Sequence, residues 1–138
     1  MPSYWLVKSE PGCWSWEDHV AAGVEPWDGV RNHQAAKNLK AMRVGDQAFF
    51  YHSVNEKRIV GIVEVVGEAR PDPSDESGRF VMVDLKAVEP LPEPVTLNQI
   101  KTDPRLENLP LVRQSRLSVM PIDPDSWALI RSLGGLEA

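Results

Sequence analysis

Four short stretches of this chain place aromatic, hydroxyl, amide and cationic groups within a few residues of one another. They are Lys8-Ser9-Glu10-Pro11, Trp27-Asp28-Gly29-Val30-Arg31-Asn32, Tyr51-His52-Ser53 and Arg113-Gln114-Ser115-Arg116-Leu117-Ser118. Each alone has an ordinary explanation, because exposed cations are usually just solvated and a tryptophan usually packs in a core. Together they supply what a nucleobase site requires. Rings stack on the base, amides and hydroxyls read its edge, and cations hold the flanking phosphates.

Catalytic chemistry finds less support. There is no Gly-x-Ser-x-Gly elbow, no phosphate-cradling glycine loop and no His-Glu-x-x-His helix. His19, His33 and His52 show no metal-ligand spacing, so neither a metal nor a cofactor is expected. Cys13 has Glu17 and Asp18 nearby, and acidic neighbours disfavour a thiolate, so it reads as a small, partly buried side chain. His52-Ser53 joins an imidazole to a hydroxyl, which could activate a nucleophile. Neighbouring strand residues point to opposite faces, however, so the pair reads as structural or ligand-contacting rather than catalytic.

The elements that must position these groups are legible in outline. Residues 3–7 form a first strand, stopped by Pro11-Gly12. Ser15 caps a helix with Glu17 and Asp18 in its first turn and Gly23 at its end. A second helix begins after Asn32, with Ala35, Ala36, Leu39 and Met42 on one face and Lys37, Lys40 and Arg43 toward its C-terminal end. Strands are expected over 47–54, 58–67 and 79–89, and 71–78 reads as a solvated loop. A short helix capped by Thr96 follows. Asp123, Pro124, Trp127, Ile130, Leu133 and Gly134 mark a final helix. Nine of the twelve prolines fall between Pro71 and Pro124, so the latter half should have short elements with rigid connections. The pattern implies an α+β fold, a small barrel with helices at its ends.

At 138 residues the chain suits one domain, 1–138. Its 42% apolar and 25% charged residues argue against disorder. The longest apolar run, Ile59 to Val66, contains Gly61 and Glu64 and could not span a bilayer. With one cysteine and no signal-like N-terminus, a cytoplasmic location without membrane association is the expectation. The net charge of −5 opposes binding to phosphates. The deficit lies in residues 59–100, which hold three basic and eight acidic residues, whereas the flanking segments balance. A polarised basic face is therefore compatible with the composition.

Tyr4-Trp5-Leu6-Val7-Lys8-Ser9-Glu10-Pro11, Trp27-x-Gly29-Val30-Arg31-Asn32-x-Gln34-Ala35, Gly45-Asp46 leading to Phe50-Tyr51-His52-Ser53, Gly61-Ile62-Val63-Glu64-Val65 and Arg116-Leu117-Ser118-Val119 together closely resemble the EVE domain family. The resemblance runs in order from residue 3 to the last helix. It implies a PUA-like fold, a small pseudo-barrel flanked by short helices. It also implies a non-catalytic module that binds DNA or RNA carrying modified bases, including methylated cytosine, by taking the base into an aromatic-lined pocket. In bacteria such domains also occur fused to nucleases. This chain has no room for one.

On that reading Trp5, Trp27 and Tyr51 provide ring faces, and Val30 and Leu117 an apolar wall. Ser9, Asn32, His52 and Ser53 face the base edge and Ser118 also belongs to the pocket, while Lys8, Arg31, Arg113 and Arg116 hold phosphates. Two other readings remain open at this point. One is an enzyme acting on a nucleotide or small metabolite through His52 and Ser53. The other is a module that docks an unidentified protein partner on the Pro-rich latter half.

Overall fold

The computed structural model describes residues 3–137. Along Tyr4–Ser9 (β1) Trp5, Leu6 and Val7 are buried in succession, and the side chains of Gln47–His52 (β3) are buried almost throughout. The two strands run parallel, in register from Tyr4 opposite Gln47 to Ser9 opposite His52. Around this pair Val24–Trp27 (β2), Arg58–Pro71 (β4), Val81–Thr96 (β5) and Val119–Ile122 (β6) complete one six-stranded sheet in the order β2-β5-β4-β3-β1-β6. Its other pairings are antiparallel.

The sheet is open, with β2 and β6 as free edges, so the expected barrel is not formed. A barrel and a twisted open sheet share the same alternation of apolar residues, and only the pairing of the first and last strands separates them. The edges carry prolines. Pro26 sits in β2 and Pro121 in β6, where a missing N–H removes no ladder bond on the solvent side. Pro90, Pro92 and Pro94 lie in β5 beyond the part paired with β2, which ends opposite Lys86. That is why β5 continues to Thr96 through a proline-rich stretch expected to be irregular. β4 likewise extends past residue 67 to Pro71, with register shifts along its pairing with β5.

Five short helices cover the sheet: Trp16–Ala22 (α1), His33–Ala41 (α2), Leu97–Thr102 (α3), Pro110–Arg113 (α4) and Pro124–Leu133 (α5). The N-terminal signals read from the sequence operate as hydrogen bonds. Ser15 and Asp18 form a reciprocal capping box on α1, and Thr96 and Gln99 form another on α3. Asn32 caps α2 and Asp123 caps α5 through their side-chain oxygens. α2 ends one residue before Met42.

Two aromatic groups fill the two faces of the sheet. On one, Phe49 stacks on Trp127 of α5, and Tyr4 stacks on the same indole. On the other, the next residue along, Phe50, meets Trp16, His19 and Trp27 at ring separations of 5.4–5.5 Å. Trp16 lies so close over Gly61 that a Cβ there would stand 2.6 Å from the indole ring, so only glycine fits. This side of the sheet holds the candidate site.

Candidate nucleic-acid interface

A cavity of about 180 Å³ opens where β1 ends, lined by Ser9, Trp14, Trp27, Glu25, Pro26 and Asp28. β2 supplies Glu25, Pro26 and Trp27, and β1 supplies Ser9. Trp14 comes from the tight turn between β1 and α1, which closes as the amides of Cys13 and Trp14 donate to the Glu10 carbonyl. The Ser9 hydroxyl donates to the Trp14 carbonyl and fixes that turn from below.

His19 ties the two indoles together. It is fully buried in α1, its Nδ1 accepts from Nε1–H of Trp14 at 3.1 Å, and its Nε2 lies 2.8 Å from the Leu85 carbonyl oxygen. A carbonyl can only accept, so Nε2 carries the proton and the imidazole is neutral. Its ring also packs 5.9 Å from that of Trp27. Burial pushes the His19 pKa down, against the opposing effects of the Leu85 carbonyl and the Glu25 charge.

The Trp27 wall is held from its far side. Gly29 turns at φ +76°, a conformation that favours glycine, and its amide donates to Asp72 at 2.8 Å. Asp72 is buried and also accepts from Arg31, from the Ser74 amide and from the Ser74 hydroxyl. Burial raises the pKa of this carboxyl, but the hydrogen bonds outweigh burial and hold it well below the usual carboxylate range. The stretch expected to be a solvated loop is therefore anchored at one buried residue.

The structure divides the expected single pocket between two faces. Ser9 and Trp27 line the cavity just described. Lys8 and Tyr51, one residue earlier on paired strands, point to the opposite face, where they line a second cavity with Ser53. Trp5 lies at the other end of β1 and donates to Asp46 at 3.0 Å. Asn32 uses its side-chain oxygen to cap α2. Val30 and Leu117 are buried in the core, and the Ser118 carbonyl accepts from the Lys8 amide. Among the expected cations, Arg31 is paired with Asp72, Arg113 donates to Asn108, and Arg116 is exposed.

His52 and Ser53 do not act on each other. Nε2 of His52 accepts from the Trp16 amide and Nδ1 contacts Glu56, while the Ser53 hydroxyl donates to the Ser9 carbonyl. Cys13 is exposed rather than partly buried. Trp14 and Glu25 carry no signal in the sequence that marks them for the site, and Asp28 lies in a marked stretch without an expected role. Trp14 stands between a Pro-Gly turn and a helix cap, where no periodicity flags it, and β2 is too short to announce itself. Among the described residues no group of His, Cys, Asp and Glu could hold a metal ion, and no helix is long and apolar enough to cross a membrane.

The open sheet with an indole-walled cavity at the end of a parallel strand pair defines a small α+β module. The chain belongs to the EVE domain family, whose model matches residues 3–133. Chicken (Gallus gallus) thymocyte nuclear protein 1 is 35% identical over 169 aligned positions, spanning 94% of this chain and 68% of that protein. A Rhodopseudomonas palustris protein solved by NMR is 54% identical with a TM-score of 0.92, over 96% of this chain and 93% of that one. The human THYN1 protein, crystallised in complex with 5-methylcytosine containing DNA, is 34% identical with a TM-score of 0.88, over 99% of both chains.

Proposed function

We propose that this protein is a non-catalytic reader that takes a modified base of a nucleic acid, such as 5-methylcytosine, into the cavity walled by Trp14 and Trp27. The observation that carries the reading is the composition of that cavity. It has two indoles, one hydroxyl and two carboxylates, and no cation among the described residues lines it. Carboxylates repel phosphate, so the group that enters is a flat, uncharged ring rather than the backbone. The human relative bound to DNA containing 5-methylcytosine supports the same class of ligand, since its fold matches over nearly the whole chain.

Stacking on an indole contributes about 1–3 kcal/mol per base, while extruding a base from a duplex costs a few kcal/mol. The two roughly offset each other, so contacts to phosphates set much of the net affinity and binding falls with added salt. A methyl group adds only about 0.8 kcal/mol by burial, so discrimination between modified and unmodified base is modest unless a hydrogen bond also distinguishes them. The His52–Ser53 enzyme lacks support because both imidazole nitrogens and the hydroxyl are already engaged.

The test is titration of matched oligonucleotides, with and without 5-methylcytosine, against Trp14→Ala and Trp27→Ala. Both variants should lose about tenfold in affinity together with the preference for the modified base. Wild-type affinity and preference in both variants would remove the cavity as the binding site.

A further inference from the structure

On the opposite face of the sheet from the tryptophan cavity lies a second one, of about 220 Å³, lined in part by Lys8, Tyr51, Lys57, Lys101 and Ser115. It gathers three ammonium groups in a protein of net charge −5, and no carboxylate among the described residues lines it. Lys57 and Lys101 are exposed and take part in no ion pair among the described residues. Lys8 is half-buried, donates to the Ser115 carbonyl at 2.9 Å, and sits 5.7 Å from the centre of the Tyr51 ring. A carbonyl dipole and a ring face are weak partners for a desolvated charge. Burial accordingly pushes the Lys8 pKa down.

The turn that brings Lys57 to the cavity is strained. Val54 has φ +70° and Lys57 has φ +50°, and these are the two non-glycine residues with positive φ among the described residues. A β-branched side chain such as valine is costly in this conformation. Both residues line the cavity, and the turn is pinned there because the Lys57 carbonyl accepts from the Leu97 amide at 2.8 Å. Leu97 begins α3, which carries Lys101 one turn later, so the same bond sets the two lysines on neighbouring supports.

We propose that this lysine cavity binds a phosphate group through the ammonium groups of Lys8, Lys57 and Lys101. Its use by a nucleic acid rests on the base-reading proposal above. Lys8 and Ser9 are successive residues on opposite faces, so a strand end only one residue thick separates the two cavities. A nucleotide with its base in one can pass its backbone over that ridge to the other. Of the cations suggested by the sequence Lys8 keeps this role, while Arg31 is paired with Asp72 and Lys57 and Lys101 are free to meet an anion.

The experiment is a titration of the intact protein with inorganic phosphate at constant ionic strength, followed by amide NMR. Shifts confined to Lys8, Tyr51, Val54, Lys57, Leu97, Lys101 and Ser115, and lost in the Lys57→Asn/Lys101→Gln double variant, are expected. Asparagine tolerates the positive φ at 57 and glutamine keeps the helix at 101, so the fold should persist. Shifts that are absent, or spread over the surface, overturn the proposal.

Oligonucleotides then identify the source of the phosphate. Binding about tenfold tighter with a 5′-phosphate than with a 5′-hydroxyl, lost in the double variant, assigns a chain end. Equal weakening of both, with the salt slope reduced by about one, assigns an internal phosphodiester. No effect on either assigns free phosphate as the ligand. Failure of the tryptophan variants to alter base preference would leave the phosphate result standing, so the two proposals fail separately.

Discussion

Nε1–H of Trp14 points at Nδ1 of His19 across 3.1 Å, so one wall of the cavity is held by a buried imidazole that must stay neutral. Protonation would place a second N–H opposite the indole N–H and leave two donors facing each other. The requirement ties the cavity wall to pH.

The His19 pKa is lowered in the folded protein, chiefly by burial. The unfolded chain takes up its proton near the ordinary value of about 6.5 while the folded chain does not, so the unfolded state holds more protons in that window. Stability therefore falls as pH drops below about 6.5, and stops falling once the folded protein also protonates. His19→Gln should lose about 1–3 kcal/mol at neutral pH, and should lack this part of the slope. Urea midpoints of both proteins at about pH 7.5 and about pH 5 check it. Parallel changes in the two would remove His19 as the source.

Asp72 sets a second window further into the acid range. Its carboxylate accepts from Gly29, Arg31 and Ser74, and its pKa lies below the ordinary value of 3.8. The stability it contributes is present above that ordinary value and is lost as pH falls through the lower folded one. Asp72→Asn keeps one acceptor oxygen for Ser74 and turns the other into a donor facing the Gly29 amide and Arg31. It should cost about 1–3 kcal/mol in urea unfolding at neutral pH. Because the Gly29 amide is released, base affinity should also fall several-fold while phosphate binding at Lys57 and Lys101 is unchanged. Intact base affinity in a destabilised variant would separate the Asp72 anchor from the cavity.

The sequence carried the local structure well and the long-range structure poorly, for a physical reason. Ser15, Thr96 and Asp123 are N-cap residues whose signals lie within four positions, and each operates as read, whereas Asn32, expected at the base edge, spends its side-chain oxygen on a fourth N-cap. The bond between Asp72 and Arg31 spans 41 positions, and nothing near Asp72 distinguishes a buried anchor from a solvated turn. Alternation alone separates Lys8 from Ser9 and Tyr51 from His52, so the division into two faces follows from residue spacing. What spacing does not give is the parallel pairing of β1 with β3, which puts Lys8 beside Tyr51 and Ser9 beside His52. Trp14 enters the site through tertiary contacts with Ser9 and His19, and lies in no periodic element that would have marked it.

The carboxylates of the cavity make a prediction about which bases enter. Glu25 and Asp28 line it as acceptors, so they favour a base whose exposed edge offers an exocyclic amino group and disfavour one that offers a carbonyl there. Cytosine and its 5-methyl derivative present an amino group at position 4, where thymine presents an oxygen. Thymine carries the same methyl as 5-methylcytosine, so a cavity that read only the methyl would bind both alike. Oligonucleotides differing by 5-methylcytosine, cytosine and thymine at one position should therefore rank in that order. A lost hydrogen bond with two acceptors left facing each other costs more than a methyl contributes, so thymine falls below cytosine although it regains the methyl. Glu25→Gln and Asp28→Asn each supply an amide that can donate to the thymine oxygen, and one of them should narrow the gap between cytosine and thymine while leaving the methyl preference intact. Thymine binding as tightly as 5-methylcytosine in the unaltered protein would show that the carboxylates do not touch the base.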